Sequence, residues 1–278
     1  MSGSRHSLLR TRGIPALVAA AFMNAFVDLG HKIVIQNTVF EVFDGSTQIA
    51  LTGVVNALIL LPFVLLMTPA GFISDRYAKA KVMRIAAAVA VGITLLITLC
   101  YHQGWFWSAF ALTLLLAIQA AVYGPAKLGY LKELAGVEDL AAANGLIQAA
   151  STAAILLGML AFSLGFEHLY RLQPSTDPAT ILPTVANLGW YLVAASVFEF
   201  TLLCRLPATR ADDDALRFDV PRYLAGGYLR ETLGDLWQRP VLRLSMIGLA
   251  VFWSIAQMLV AVYPAYAEHV LGVHNVAL

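Results

Sequence analysis

The chain is expected to fold as an all-α membrane protein, with a six-helix amino-terminal bundle, a cytoplasmic linker carrying a short helix, and a seventh membrane-spanning helix. Three observations point there. Of its 278 residues 59% are hydrophobic and only 13% charged, where a soluble domain carries about 25% charged residues, and the mean hydropathy is +0.74. The apolar residues fall in long continuous runs, not in the alternation of barrel strands, so the backbone must be satisfied within each run. The basic residues collect on every second connection. With 18 Lys and Arg against 17 Asp and Glu, the net charge is +1, which argues against a nucleic-acid partner and against a disordered chain.

Seven runs are long enough to cross ~30 Å of hydrocarbon. They are Ile14 to Val39, Ile49 to Ile73, Val82 to Tyr101, Trp105 to Tyr123, Ala142 to Phe166, Pro183 to Leu203 and Val241 to Tyr263. Arg5, Arg10 and Arg12 before the first run imitate a signal peptide, but that run continues as a full span and six more follow. The division is 1–205 for the six-helix bundle, 206–240 for the linker, and 241–278 for the first helix of a second, incomplete bundle. Cys100 and Cys204 fall at opposite membrane faces, too far apart to bridge.

Orientation follows from the basic residues. Arg5, Arg10 and Arg12 precede the first span, Arg76, Lys79, Lys81 and Arg84 follow the second, Lys127 and Lys132 follow the fourth, and seven more lie between Arg205 and Arg243. These share one side. Arg171 is alone on the other, and Lys32 lies within the first span. The amino terminus is therefore expected in the cytoplasm, and Glu268 to Leu278 outside. In the linker, the acidic triplet Asp212 to Asp214 precedes Leu224, Tyr228, Leu233, Leu236 and Trp237, which recur at mostly helical spacing between arginines. This suits an amphipathic helix in the membrane interface.

Polar residues inside the spans are the candidate site. Asn24, Asp28, Lys32 and Gln36 are spaced by four, with His31 beside them, and draw a polar stripe on the first helix. Charges at membrane depth persist when they pair or face an interior path. Asp28 four residues before Lys32 is oriented for an intrahelical ion pair, and both are candidates for a polar headgroup or a coupling ion. His31 suits packing or hydrogen bonding better than proton transfer. Asn56, Gln119, Gln148, Ser151, Thr152, Trp253, Ser254 and Gln257 are further interior candidates, each also able to bond a neighbouring helix. Glu199, late in the sixth span, is expected to reach the interface or Arg205, and Lys132 with Glu133 reads as a loop charge pair. No His and Cys metal spacing, phosphate-cradling glycine loop or G-x-S-x-G motif occurs. No catalytic residue, metal ligand or cofactor is therefore expected.

Two stretches carry a family resemblance. Gly71, Asp75, Arg76 and Lys79, between the second and third spans, match in register the G-x-x-x-D-R-x-G-[RK]-[RK] signature of the major facilitator superfamily, with Ala78 and Ala80 as departures. The resemblance implies a conformational latch at these four residues. The run from Tyr123 through Pro125, Lys127 and Gly129, then Asn144, Gly145 and Leu146, with Ala25, Phe26 and Asp28, resembles the lysophospholipid transporter branch of that superfamily. Pro125, Lys127, Gly129, Asn144 and Gly145 are read as a family-motif loop. Leu29 stands where the pattern has asparagine, and Gln148 where it has glutamate.

The resemblance implies alternating access in a bacterial inner membrane, moving lysophospholipid for reacylation. It includes membrane domains fused to an acyltransferase and an acyl-acyl-carrier-protein synthetase, so such an enzyme, fused or separate, is an expected partner beside the lipid bilayer. Alternatives are a proton-coupled exporter of a soluble drug or metabolite, and the membrane domain of a fused enzyme whose chemistry lies beyond this chain. Superfamily members have twelve spans, so the chain is expected to be the first half of a transporter plus one helix.

Overall fold

The computed structural model of the chain describes residues 11–208 and 217–269. Arg5, Arg10, Arg210, the triplet Asp212 to Asp214, the side chain of Gln257 and the tail beyond residue 269 lie outside the described residues. The described residues are helices joined by short connections, an all-α membrane protein. The chain divides into two compact units, residues 1–216 and 217–278.

In the first unit the helices are α1 (Ile14–Val42), α2 (Gly45–Leu65), α3 (Met67–Arg76), α4 (Lys79–His102), α5 (Phe106–Ala135), α6 (Leu140–Tyr170), α7 (Pro178–Val185) and α8 (Asn187–Cys204). Of these, α1, α2, α4, α5, α6 and α8 are long and apolar enough to cross a membrane. Helix α1 lies against α6, α8 and α5, while α4 packs between α5 and α8, and α2 rests on α5.

Three boundaries differ from those expected. The second run breaks at Leu66 into α2 and α3, where Pro69 in the first turn of α3 has no backbone N–H to donate to the carbonyl four residues before it. The sixth run opens as the short α7, whose first turn is capped by the Asp177 carboxylate accepting from the Ala179 N–H at 3.1 Å, and restarts at Asn187 as α8. The fourth span does not stop at Tyr123. Helix α5 continues through Gly124 and Pro125 to Ala135, as membrane helices can when neighbours satisfy the freed carbonyl. Pro125, Lys127 and Gly129 are therefore helical and not in a loop, and Asn144 and Gly145 lie in α6.

Two apolar clusters form the core. One gathers Val27, Val34, Ile35, Ile97, Tyr101, Phe110, Phe162 and Leu192. The other gathers Ile14, Leu17, Met83, Ala87, Tyr123, Tyr130, Ile147 and Leu203. Along α1 the first begins at Val27 and the second ends at Ala21; along α5 they part between Leu116 and Tyr123, and along α8 between Ala195 and Leu203. Asn24, Gln119 and Glu199 fall in those three gaps, so a polar layer crosses the bundle between two greasy ones. Leu60, Leu61, Phe63 and Val64 of α2 and Leu156, Leu157, Leu160 and Leu164 of α6 are exposed, and on a membrane protein such apolar faces meet lipid or another bundle.

One end of the bundle is tied by side chains. Arg84 donates to the carbonyls of Leu203 and Leu206, both at 3.1 Å, satisfying orphan acceptors where α8 ends. The Tyr130 hydroxyl donates to the Pro207 carbonyl at 3.0 Å.

The second unit holds α9 (Val220–Leu224), α10 (Gly227–Gln238) and α11 (Pro240–His269). Helix α10 is the helix expected in the linker, with Leu229, Leu233 and Trp237 exposed, and Arg222 and Glu231 pair at 2.8 Å. The seventh run lies in α11, whose Pro240–Ile255 stretch is apolar.

Candidate functional site in the bundle interior

The polar layer is built by three helices. From α1 come Asn24 and Asp28, from α5 Gln119, Tyr123 and Lys127, and from α8 Glu199. Asn24, Gln119, Tyr123 and Glu199 are buried. Asp28 and Lys127 are half-buried. The charges of Asp28, Lys127 and Glu199 act on one another, and the Asn24 amide neighbours Glu199. Few of these groups are satisfied: Asp28 Oδ1, both Gln119 amide atoms, the Tyr123 hydroxyl and both Glu199 oxygens are buried without a hydrogen-bond partner. Buried polar atoms are normally paired, so a cluster of orphans marks functional surface or the seat of a ligand.

Lys127 links this layer to the outside of the bundle. Its ammonium lies 5.5 Å from the Tyr123 ring centroid. It also lines a cleft of about 450 Å³ with Gly124, Leu128, Asn144, Gly145, Ile147, Gln148 and Ser151. The cleft thus carries one ammonium, two side-chain amides and a hydroxyl, and the ammonium acts by charge on Asp28 of α1. Such a site can hold an anion at Lys127 and a cation at Asp28.

Several expectations are corrected. No ion pair joins Asp28 to Lys32 among the described residues; the cation acting on Asp28 is Lys127, from another helix. Asp28 forms no ion pair with Lys127 either among the described residues, and its Oδ1 is buried without a hydrogen-bond partner. Lys127 lies within helix α5 and not in a connection after it, because α5 runs a further three turns beyond Tyr123. Glu199 reaches neither the interface nor Arg205 but is fully buried in the polar layer. Glu133 pairs with Lys79 at 2.8 Å, not with Lys132.

The other sites fall as follows. His31 is fully buried away from the cleft, with Nδ1 2.7 Å from the Tyr101 hydroxyl and Nε2 3.0 Å from the Thr113 hydroxyl. It clamps α1 to α4 and α5. His31→Leu in the full-length protein should cost about 1–3 kcal/mol, because two buried hydroxyls lose their partner, while headgroup affinity stays unchanged; unfolding and ligand titration check both. Gln36 is half-buried one turn beyond Lys32. Asn56 donates within its own helix to Thr52 at 3.1 Å. In the second unit, Trp253 is exposed and Ser254 bonds its own helix at Ala250.

Of the signature residues, Lys79 is buried and reaches Glu133 across Gly129, where a Cβ would lie 2.6 Å from Lys79 Cε. Gly129 thus leaves the channel through which Lys79 ties α4 to α5, and the two motifs form one joint. Gly71 lies in α3, Asp75 is exposed with no ion pair among the described residues, and Arg76 lies 5.9 Å and 5.5 Å from the Phe72 and Tyr77 ring centroids.

Known proteins agree with this architecture. The family model of the Major Facilitator Superfamily matches residues 17–278. The chain belongs to the major facilitator superfamily. It is similar to proteins named lysophospholipid transporter LplT. That of Serratia proteamaculans is 30% identical over 256 residues, covering 89% of this chain and 56% of the relative. That of Yersinia enterocolitica is 28% identical over 251 residues, covering 88% and 54%. The chain thus spans about half the length of these curated relatives. No solved structure matches it.

Proposed function

We propose that, in the full-length protein, this bundle is the amino-terminal half of a secondary transporter that moves lysophospholipid across the bacterial inner membrane by alternating access. The amino terminus is cytoplasmic and the product is reacylated there by an acyltransferase or acyl-acyl-carrier-protein synthetase, fused or separate. The observation that carries the reading is the Lys127 ammonium, open to an amide-lined cleft and acting by charge on the Asp28 carboxylate of the polar layer. A zwitterionic headgroup needs one cation for its phosphate and one anion for its ammonium at short spacing, and acyl chains need a lateral way into lipid. The cleft between α5 and α6 lies beside the exposed leucines of α6 and offers that way. The names of the relatives support the substrate class.

In this scheme Lys127, Asn144, Gln148 and Ser151 receive the phosphate, and Asp28 receives the ammonium. Gly71, Asp75, Arg76 and Lys79 belong to the joint that reorganises as two bundles rock about the site. Helix α10 lies in the cytoplasmic membrane interface, its leucines and Trp237 toward the acyl chains. The test is transport of labelled lysophosphatidylethanolamine by the full-length protein in vesicles, competed by unlabelled lysolipid or by hydrophilic solutes. Competition by lysolipid alone is expected. Competition by the solutes instead would replace this reading with an exporter of soluble compounds.

A further inference from the structure

Glu199 has no part in headgroup binding as described, yet it is a carboxylate fully enclosed in the bundle. It is 0% exposed and neither carboxylate oxygen has a hydrogen-bond partner. Asn24 and Asp28 face it from α1, and Lys127 from α5, whose Tyr123 also senses its charge. The other packed helices bring no further charge. On α4, Arg84 is engaged by the Leu203 and Leu206 carbonyls and Lys79 by Glu133. On α6, Glu167 pairs with Arg171 at the far end of the helix, and α7 holds no titratable side chain. Lys32 of α1 is also half-buried, but the cation that acts on both carboxylates is Lys127, so the two share that ammonium.

Charge balance decides what Glu199 is. A buried ionised carboxylate without partner is penalised by several kcal/mol, and a neutral carboxylic acid is not. The single ammonium offsets one carboxylate. Asp28, half-buried and on the path to the cleft, is the one that can also be answered by a ligand. A metal ion is the poorer occupant, because Lys127 already supplies positive charge and no three His, Cys, Asp or Glu side chains cluster here among the described residues.

We propose that Glu199 is a proton-binding site, and that it exchanges its proton for a cationic group arriving at Asp28. The exchange step rests on the headgroup reading above; the proton site does not. With the site empty, the Asp28 carboxylate faces the Lys127 ammonium and Glu199 keeps its O–H bond. When a ligand ammonium takes Asp28, Lys127 is left to compensate Glu199. The Glu199 O–H bond then breaks with its electron pair staying on oxygen, and the proton passes to water in the cleft at Lys127. One positive charge enters and one leaves, so the buried charge is unchanged.

Infrared difference spectroscopy on the full-length protein reads the site directly. At neutral pH the native protein should show the carbonyl stretch of a neutral carboxylic acid, absent in Glu199→Gln, retained in Lys127→Met, and weaker in Asp28→Asn, where Lys127 is freed to compensate Glu199. Should Glu199→Gln not fold, Glu199→Asp, which keeps an acid, must move the band in frequency. A native protein without the band, or a band indifferent to position 199, overturns the site. In weak buffer with a pH dye, lysophosphatidylethanolamine should release up to one proton per ligand bound. Its affinity should rise up to about tenfold per pH unit, with neither effect in Glu199→Gln. Binding without proton release overturns the exchange. An intact band with no lysolipid binding at all supports the proton site and overturns the headgroup reading instead.

Discussion

Lys127→Met in the full-length protein is expected to lower stability by about 3 kcal/mol, the low end of the range for stripping a buried ion of its partner. Lys127 acts on both carboxylates of the polar layer, so its loss leaves Asp28 with no cation. The converse change is milder: in Asp28→Asn the ammonium still has Glu199 to answer it, and a loss of under about 1 kcal/mol is expected. The double variant Asp28→Asn with Lys127→Met should recover most of the stability lost in Lys127→Met alone, because neighbouring members of one charge network are not additive. Unfolding in detergent, run as a double-mutant cycle, measures this. Equal losses in the two single variants, simply summing in the double, would show that these residues do not share a site.

Gly30→Val should cost about 3 kcal/mol, the upper part of the range for overpacking a core. A Cβ at Gly30 would lie 2.5 Å from Phe162 Cε2 and 2.8 Å from Leu192 Cδ2. Neither neighbour can retreat: Phe162 is 2% exposed and packs on Phe26 at 5.3 Å between centroids, and Leu192 is fully buried. Gly30 lies where α1 meets α6 and α8, two residues beyond Asp28, so separating these helices also displaces Asp28. Thermal unfolding with headgroup binding on the same samples checks both effects. A variant with native stability would mean that the three helices do not meet at this point.

The six bundle helices were legible because each is an uninterrupted apolar run, and the linker helix because its leucines and Trp237 recur at helical spacing. The end of α5 was not. Gly124 and Pro125 look like a stop in sequence, but the helix passes through them, a choice made by neighbouring helices that no local pattern records. That one boundary moved Lys127 from the cytoplasmic count into the candidate site.

Asp28 was singled out as a candidate from its place in an apolar span, and Lys32 was assigned as its partner by nearness in sequence. Helix rotation decided for α5 instead. Glu199 carried a signal that was available: a lone carboxylate within the apolar run from Trp190 to Cys204, six residues before the nearest arginine. Its burial depends on where α8 meets α1, which only the assembled bundle fixes. His31 was placed correctly as a hydrogen-bonding residue, though its partners Tyr101 and Thr113 lie 70 and 82 residues away.

The central claim is that a lysolipid headgroup meets Asp28 and Lys127. The most direct measurement is transport of labelled lysophosphatidylethanolamine into vesicles by the full-length Asp28→Asn, Lys127→Met double variant, whose stability the first prediction expects to be near native. A folded protein whose transport is lost is expected. Transport at the native rate by that variant would contradict it.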